Sequence, residues 1–173
     1  AKYKISNKLT LEIESESGKK TDDIGFLQKK DGEIHFGRRD INSVENSLDL
    51  NFNIDNYKYL SLRFRNFWST ANYDNVLFSL KNDGMRELMD HSKLDFDPNT
   101  NFNLWNLDLN FDWWFSPGST ITLQYKNQIF NRDNESGLKY YKSLKNLFEF
   151  PVEHQLSLRI NYLIDFNKLR RND

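Results

Sequence analysis

Seven charged residues fall on the polar side of alternating stretches: Asp49, then Arg63 and Arg65, then Asp108 and Asp112, then Lys126, then Arg159. Acid and base follow one another in chain order. If the stretches are neighbouring strands, opposite charges face each other across the ladder. Two roles fit this order. The residues could line a polar lumen that selects a solute, or they could form a cross-strand network that only satisfies charge. Asp108 and Asp112 lie four apart on one strand face, roughly 13 Å at strand rise. That is too far for a glycosidase-type carboxylate pair. The histidines His35, His91 and His154 have no ligand spacing, and the chain has no HExxH, glycine-rich phosphate loop or GxSxG. No metal site, cofactor or catalytic residue is assigned. The densest charge cluster, Arg38-Arg39-Asp40, reads as an exposed loop rim with the chemistry to hold an anionic group.

The elements that must position these residues read as strands. From Leu156 to Phe166 every even position is apolar, while only Leu163 is apolar among the odd ones. A period of two means one apolar and one polar face. Eleven residues also match a tilted strand that crosses a bilayer. Ile160 is then expected near mid-membrane, with Arg159 turned to a lumen. The same alternation marks 4–15, 48–54, 60–69, 105–115 and 121–129. Two shorter candidates, 24–28 and 33–38, flank Asp31-Gly32, a tight-hairpin signal. Residues 16–23, 72–100 and 131–155 read as polar loops, with Val76-Leu77-Phe78 extending a strand beyond the membrane.

Composition narrows the class. The chain has 173 residues, about one domain. A net charge of −1 gives no field to recruit nucleic acid. Cysteine is absent, which removes disulfides and thiol chemistry. The mean hydropathy of −0.79 and apolar runs of at most three residues exclude helical spans, which need about 20. They leave a β-barrel open, because there only alternate residues face lipid.

Aromatic residues and loop lengths agree with a barrel. Trp113, Phe115 and Phe166, with Tyr57 and Tyr59, gather at one set of strand ends, and Trp68 and Trp105, with Phe67 and Phe102, at the other. Two such girdles are expected where rings meet lipid headgroups. The short connections at 30–32, 55–56 and 116–118 share one parity, as periplasmic turns would.

Four stretches carry a resemblance: Phe36-Gly37-Arg38-Arg39-Asp40-Ile41, Arg63-Phe64-Arg65-Asn66-Phe67-Trp68-Ser69, Phe115-Ser116-Pro117-Gly118-Ser119 and His154-Gln155-Leu156-Ser157-Leu158-Arg159. Through them the chain resembles the C-terminal barrel of large outer-membrane proteins from Bacteroidetes-type bacteria, a domain-of-unknown-function family often found with a carbohydrate-binding family 9-like domain. Asn66-Phe67 stands where that pattern tends to have His-Tyr. The resemblance implies a piece of a longer protein with further strands upstream. The start, Ala1-Lys2-Tyr3-Lys4, lacks a signal peptide's apolar core, so either the chain is a mature or truncated form or the membrane reading is wrong. The resemblance brings no activity with it.

The expected fold is all-β: an antiparallel, up-and-down transmembrane barrel segment over residues 1–173, about eight strands of a larger barrel. The expected setting is the bacterial outer membrane. The expected partners are the lipid bilayer and other outer-membrane proteins, and not nucleic acid. The expected role is a channel, a scaffold or a complex subunit linked to carbohydrate handling. A soluble lipocalin-like binding barrel needs the same alternation, and a membrane-embedded hydrolase with carboxylates from different strands is the third reading.

Overall fold

In the computed structural model the described residues form one antiparallel sheet with a single short α-helix. The structure describes residues 1–81 and 83–164, the Lys93 side chain excepted. The strands are β1 (Lys2–Lys4), β2 (Leu9–Lys30), β3 (Glu33–Asn53), β4 (Lys58–Leu80), β5 (Arg86–Met89), β6 (Thr100–Ser116), β7 (Ser119–Asp133) and β8 (Glu153–Asn161), with helix α1 (Tyr140–Leu147) between the last two. The sheet order is β1-β2-β3-β4-β6-β7-β8, and β5 pairs with β4 beyond the end of β6. Apart from the short β5, each strand therefore lies beside its chain neighbour, as in an up-and-down meander. The sheet is open: among the described residues β1 and β8 form the two edges and do not pair. No described helix is long and apolar enough to cross a membrane.

The all-β, antiparallel expectation holds with eight strands, but they are not the expected eight. Residues 16–23 are not a loop. They belong to β2, a single strand that pairs with β3 from Leu9↔Phe52 to Lys30↔Glu33, with bulges between Lys20 and Asp23 and between Phe26 and Gln28. The polar stretch keeps its ladder because β3 supplies a partner row by row. Asp31 and Gly32 both have positive φ, 52° and 86°, as a type I′ hairpin requires. This corrects the turn parity. The 31–32 turn lies at the sheet end opposite to the turns at 54–57 and 117–118, because the two strands on each side of it are fused into one. The linker after β1 takes its place at the short-turn end: the Asn53 N–H donates to the Lys8 carbonyl.

The far end of the sheet holds the long connections. β4 runs on to Leu80 through Val76-Leu77-Phe78, and β5 folds back on it, burying Leu77 and Met89. The 131–155 stretch holds α1. β8 begins at Glu153 and its pairing stops at Asn161, not Phe166. Phe166 lies outside the described residues.

Strand alternation gives the sheet two faces, named here for Leu62 and Arg63. On the Leu62 face, register rows join the strands into an apolar belt. One row is Leu158, Leu123, Phe111, Leu60, Phe52 and Leu9. The next is Leu156, Tyr125, Leu109, Leu62, Leu50 and Leu11. The row after that keeps Leu107, Phe64, Leu48 and Ile13 but is polar at Asn127 and His154.

Above the belt the two faces exchange character. On the Leu62 face β4 continues with Asn66, Trp68 and Thr70, and β6 with Asn103 and Asn101. On the Arg63 face the polar rows give way to Phe67, Leu104 and Phe130 in one row, with the Phe102 ring 6.1 Å from that of Phe67.

Candidate functional site

The Arg63 face, below that exchange, is polar across the whole sheet. One row reads Lys2, Glu12, Asp49, Arg63, Asp108, Lys126 and Gln155. Lys2 pairs with Glu12 at 3.3 Å, Arg63 Nε donates to Asp49, and Arg65 reaches Asp108 at 3.5 Å. Lys126 stands in register with Asp108 on the other side. The adjacent row is uncharged over five strands: Asn51, Ser61, Asn110, Gln124 and Ser157, with Gln124 donating to Asn110 at 2.7 Å. The row below contains Tyr59, Asp112, Thr122 and Arg159. There Thr122 donates to Asp112 at 2.6 Å, and Arg159 is opposite Thr122.

The seven residues singled out from the sequence thus share one face and span four consecutive register rows, Arg65 one row above Arg63. Asp49 and Asp108 flank Arg63 and are each bonded to an arginine. That arrangement neutralises charge. It is not an acid–base pair, which needs two carboxyl groups pushed apart in protonation. These side chains are partly exposed, so each ion pair contributes little to stability. The face can hold water and hydrogen-bond a hydrated polar solute.

Arg38-Arg39-Asp40 is not a loop rim. It lies within β3, where β4 carries a bulge opposite Arg38. Arg38 binds Asp74 through Nε and Nη2, both at 2.6 Å, and this hydrogen bond raises its already high pKa. Burial pulls the Asp74 carboxyl upward, but hydrogen bonds from Arg38 and the Val76 N–H hold it below the ordinary carboxylate range. Arg39 donates to Asp23 at 2.8 Å and to the Tyr73 hydroxyl at 2.9 Å. Asp40 accepts from the Asp22 N–H. The cluster's hydrogen bonds go to groups of this chain, so the anion-holding role gains no support.

Gly25 and Gly37 stand opposite each other beneath Arg39 and Tyr73. A Cβ on Gly25 would lie 2.5 Å from both the Arg39 guanidinium carbon and the Tyr73 hydroxyl. Gly25→Ala is therefore expected to displace Arg39 from Asp23 and to destabilise this end of the sheet by about 1–2 kcal/mol. Faster amide exchange in 23–39 would show it, and unchanged exchange would contradict it.

Trp105 and Trp113 lie on the Leu62 face near the two ends of the β6 apolar run, and the Phe115 ring packs on that of Trp113 at 5.9 Å. Trp68 does not belong with them. It is 6% exposed, its ring 5.8 Å from that of Tyr140 on α1, and its indole N–H donates to Asn101 at 3.0 Å. Phe67, Phe102 and Tyr59 point to the Arg63 face, so they are not part of the same rims.

The sequence reading missed a polar network on the Leu62 face, just above the belt. Asn66 donates to Asn103 at 3.0 Å and to the Leu104 carbonyl, and accepts from the Tyr140 hydroxyl at 2.8 Å. Asn103 donates to Ser143 at 3.3 Å, and Asn46 donates to the Tyr140 hydroxyl at 3.0 Å. These bonds fasten α1 to the sheet. Ser79 donates to Glu33, whose carboxylate lies 3.8 Å from the buried His35. The carboxylate, not the imidazole, is the middle member, so the order is not that of a serine–histidine–acid triad and no imidazole sits on the serine hydroxyl. Among the described residues no group of three metal-ligating side chains converges.

Residues 1–172 match the model of a domain of unknown function, DUF5916. The chain belongs to this family. Nothing among curated proteins or solved structures matches it. The DUF5916 match agrees with the family resemblance read from the sequence and carries no activity, substrate or compartment.

Proposed function

We propose that this DUF5916 chain is a wall segment of a bacterial outer-membrane β-barrel. Its Leu62 face meets lipid and its Arg63 face lines an aqueous interior. One observation carries the reading: on β6 the apolar face runs from Trp105 to Trp113, with Phe115 packed on Trp113 beyond it, so aromatic rings stand at both ends. Nine residues span roughly 26 Å along a strand, about what a tilted strand needs to cross a bilayer. The opposite face is polar over most of the same rows, as a barrel interior is. Inside a bilayer every backbone edge must be paired. The outer edges of β8 and of β2 beyond β1 would therefore meet further strands in the assembled wall.

The interior this creates has balanced charge and a full row of amides and hydroxyls. It suits a channel for hydrated polar solutes, or the core of a scaffold within an outer-membrane complex. A link to carbohydrate handling is the finer form of the reading, and only the family resemblance supports it.

The test is to place a fluorescent label on a single cysteine at Leu109 or Asn110 of the intact protein in lipid vesicles. Lipid carrying a mid-chain spin label should quench the label at 109, and aqueous iodide the label at 110. A monodisperse protein that needs no detergent, with neither label quenched by lipid, would overturn the proposal in favour of the lipocalin-like arrangement.

A further inference from the structure

Helix α1 lies on the Leu62 face over the asparagine rows, where the apolar belt ends. Ser143 and Leu147 are buried against the sheet. At 100° per residue, Tyr141 and Phe148 then share one flank of the helical path, Lys142 takes the other, and Lys145 points outward between them. The aromatic flank is open: Tyr141 is 81% exposed and Phe148 52%. It is also the flank toward the belt, because the Phe148 ring lies 5.0 Å from that of Trp105. Phe150 and Val152 follow, both exposed, and lead into β8 with its exposed Leu156 and Leu158.

We infer that α1 and residues 148–152 form an interfacial anchor on one leaflet of a bilayer. Tyr141, Phe148, Phe150 and Val152 enter the boundary between headgroups and acyl chains, and Lys142 and Lys145 lie among the lipid phosphates. The inference rests on the bilayer reading above and adds a second, peripheral contact to it. Lipid is the occupant the surface fits. The exposed rings continue the belt that the same reading places in hydrocarbon, while Lys142 sits on the flank away from it and Lys145 points outward between the two flanks. Amphipathic helices at membrane surfaces divide their faces in this way, with aromatic side chains at headgroup depth.

Single cysteines at Tyr141, Phe148 and Glu149 test the anchor, with Leu158 as the reference, in the intact protein reconstituted in phosphatidylcholine vesicles. Glu149 is exposed, so a label there leaves both rings in place. The labels at 141, 148 and 149 should be quenched at least threefold more by headgroup spin-labelled lipid than by mid-chain spin-labelled lipid, and the label at 158 should show the reverse order. If Leu158 is quenched by lipid while the other three respond only to aqueous iodide, the anchor is overturned and the barrel reading stands. If all four respond only to iodide, both fall.

Discussion

Leu156→Arg is expected to abolish most folding into lipid vesicles, while Ser157→Arg, one residue further on, leaves it near wild type. Leu156 is in register with Tyr125 and, through it, with Leu109, midway between Trp105 and Trp113 on β6. Ser157 is opposite Gln124 on the Arg63 face. The two positions lie side by side on the same strand, both are exposed, and an arginine at one or the other differs in which face it enters. An arginine on the lipid face near the midplane costs about 2–4 kcal/mol, which is roughly a 30- to 700-fold shift in the folding equilibrium. Ile160, the position that the sequence marks as central, is in register with Ile121 and thence Trp113 at the end of the belt. An arginine there would reach the headgroups and cost less. Arg159→Gln should change little, because Arg159 faces Thr122. Folded yield can be read from protease protection or from the mobility of unheated samples on gels. Equal losses at 156 and 157 would mean that the edge strand tolerates no arginine, whatever its facing. No loss at 156 would place the Leu62 face in water.

Asn101→Leu should release α1. The Asn101 side-chain oxygen accepts from the Trp68 indole at 3.0 Å and from Ser143 at 3.1 Å, and its nitrogen donates to Asp133 at 3.1 Å. Leucine is similar in size but makes none of these bonds. Each buried polar group left without a partner costs about 1–3 kcal/mol, and groups in one network do not add independently. A total near 3 kcal/mol is expected. Amide exchange in 140–147 should accelerate by roughly two orders of magnitude, with little change in the β2–β3 ladder. Unchanged exchange in α1 would show that Leu147 packing alone holds the helix.

The belt was legible because one face of each strand there is apolar and the other polar, so period two stands out at 105–115 and 156–160. The charge order was legible for the same reason. Asp49, Arg63 and Asp108 fall into one row once the strands pair in sequence. Above the belt that signal fails. Residues 16–23 and 42–46 are largely polar on both faces, so 16–23 reads as loop and 42–46 shows no strand, although β2 and β3 run through them. Misreading two long strands as four then moved the Asp31-Gly32 turn to the wrong end of the sheet. The asparagine network was hidden because Asn66, Asn101 and Asn103 share the parity of the apolar residues, and a polar residue in that position reads as an interruption. Helix α1 left only a faint trace: Tyr140, Ser143, Leu144 and Leu147 recur at helical spacing within a stretch that otherwise resembles loop.

The exchange of character between the two faces also sets a depth. On β4 the Leu62 face is bounded by Lys58 below and Asn66 above, eight residues apart. That interval is roughly 26 Å along the strand and, for a tilt of about 40°, roughly 20 Å along the membrane normal. Shifting the sheet outward by one row pair would carry Lys58 into hydrocarbon. Shifting it inward would carry in Asn66, and with it the edge of the network beneath α1. Neither move is cheap, so in the proposed setting the wall does not float. It would act as a gauge of hydrocarbon thickness, matched to a thin membrane, with the surrounding lipid adjusting to the protein.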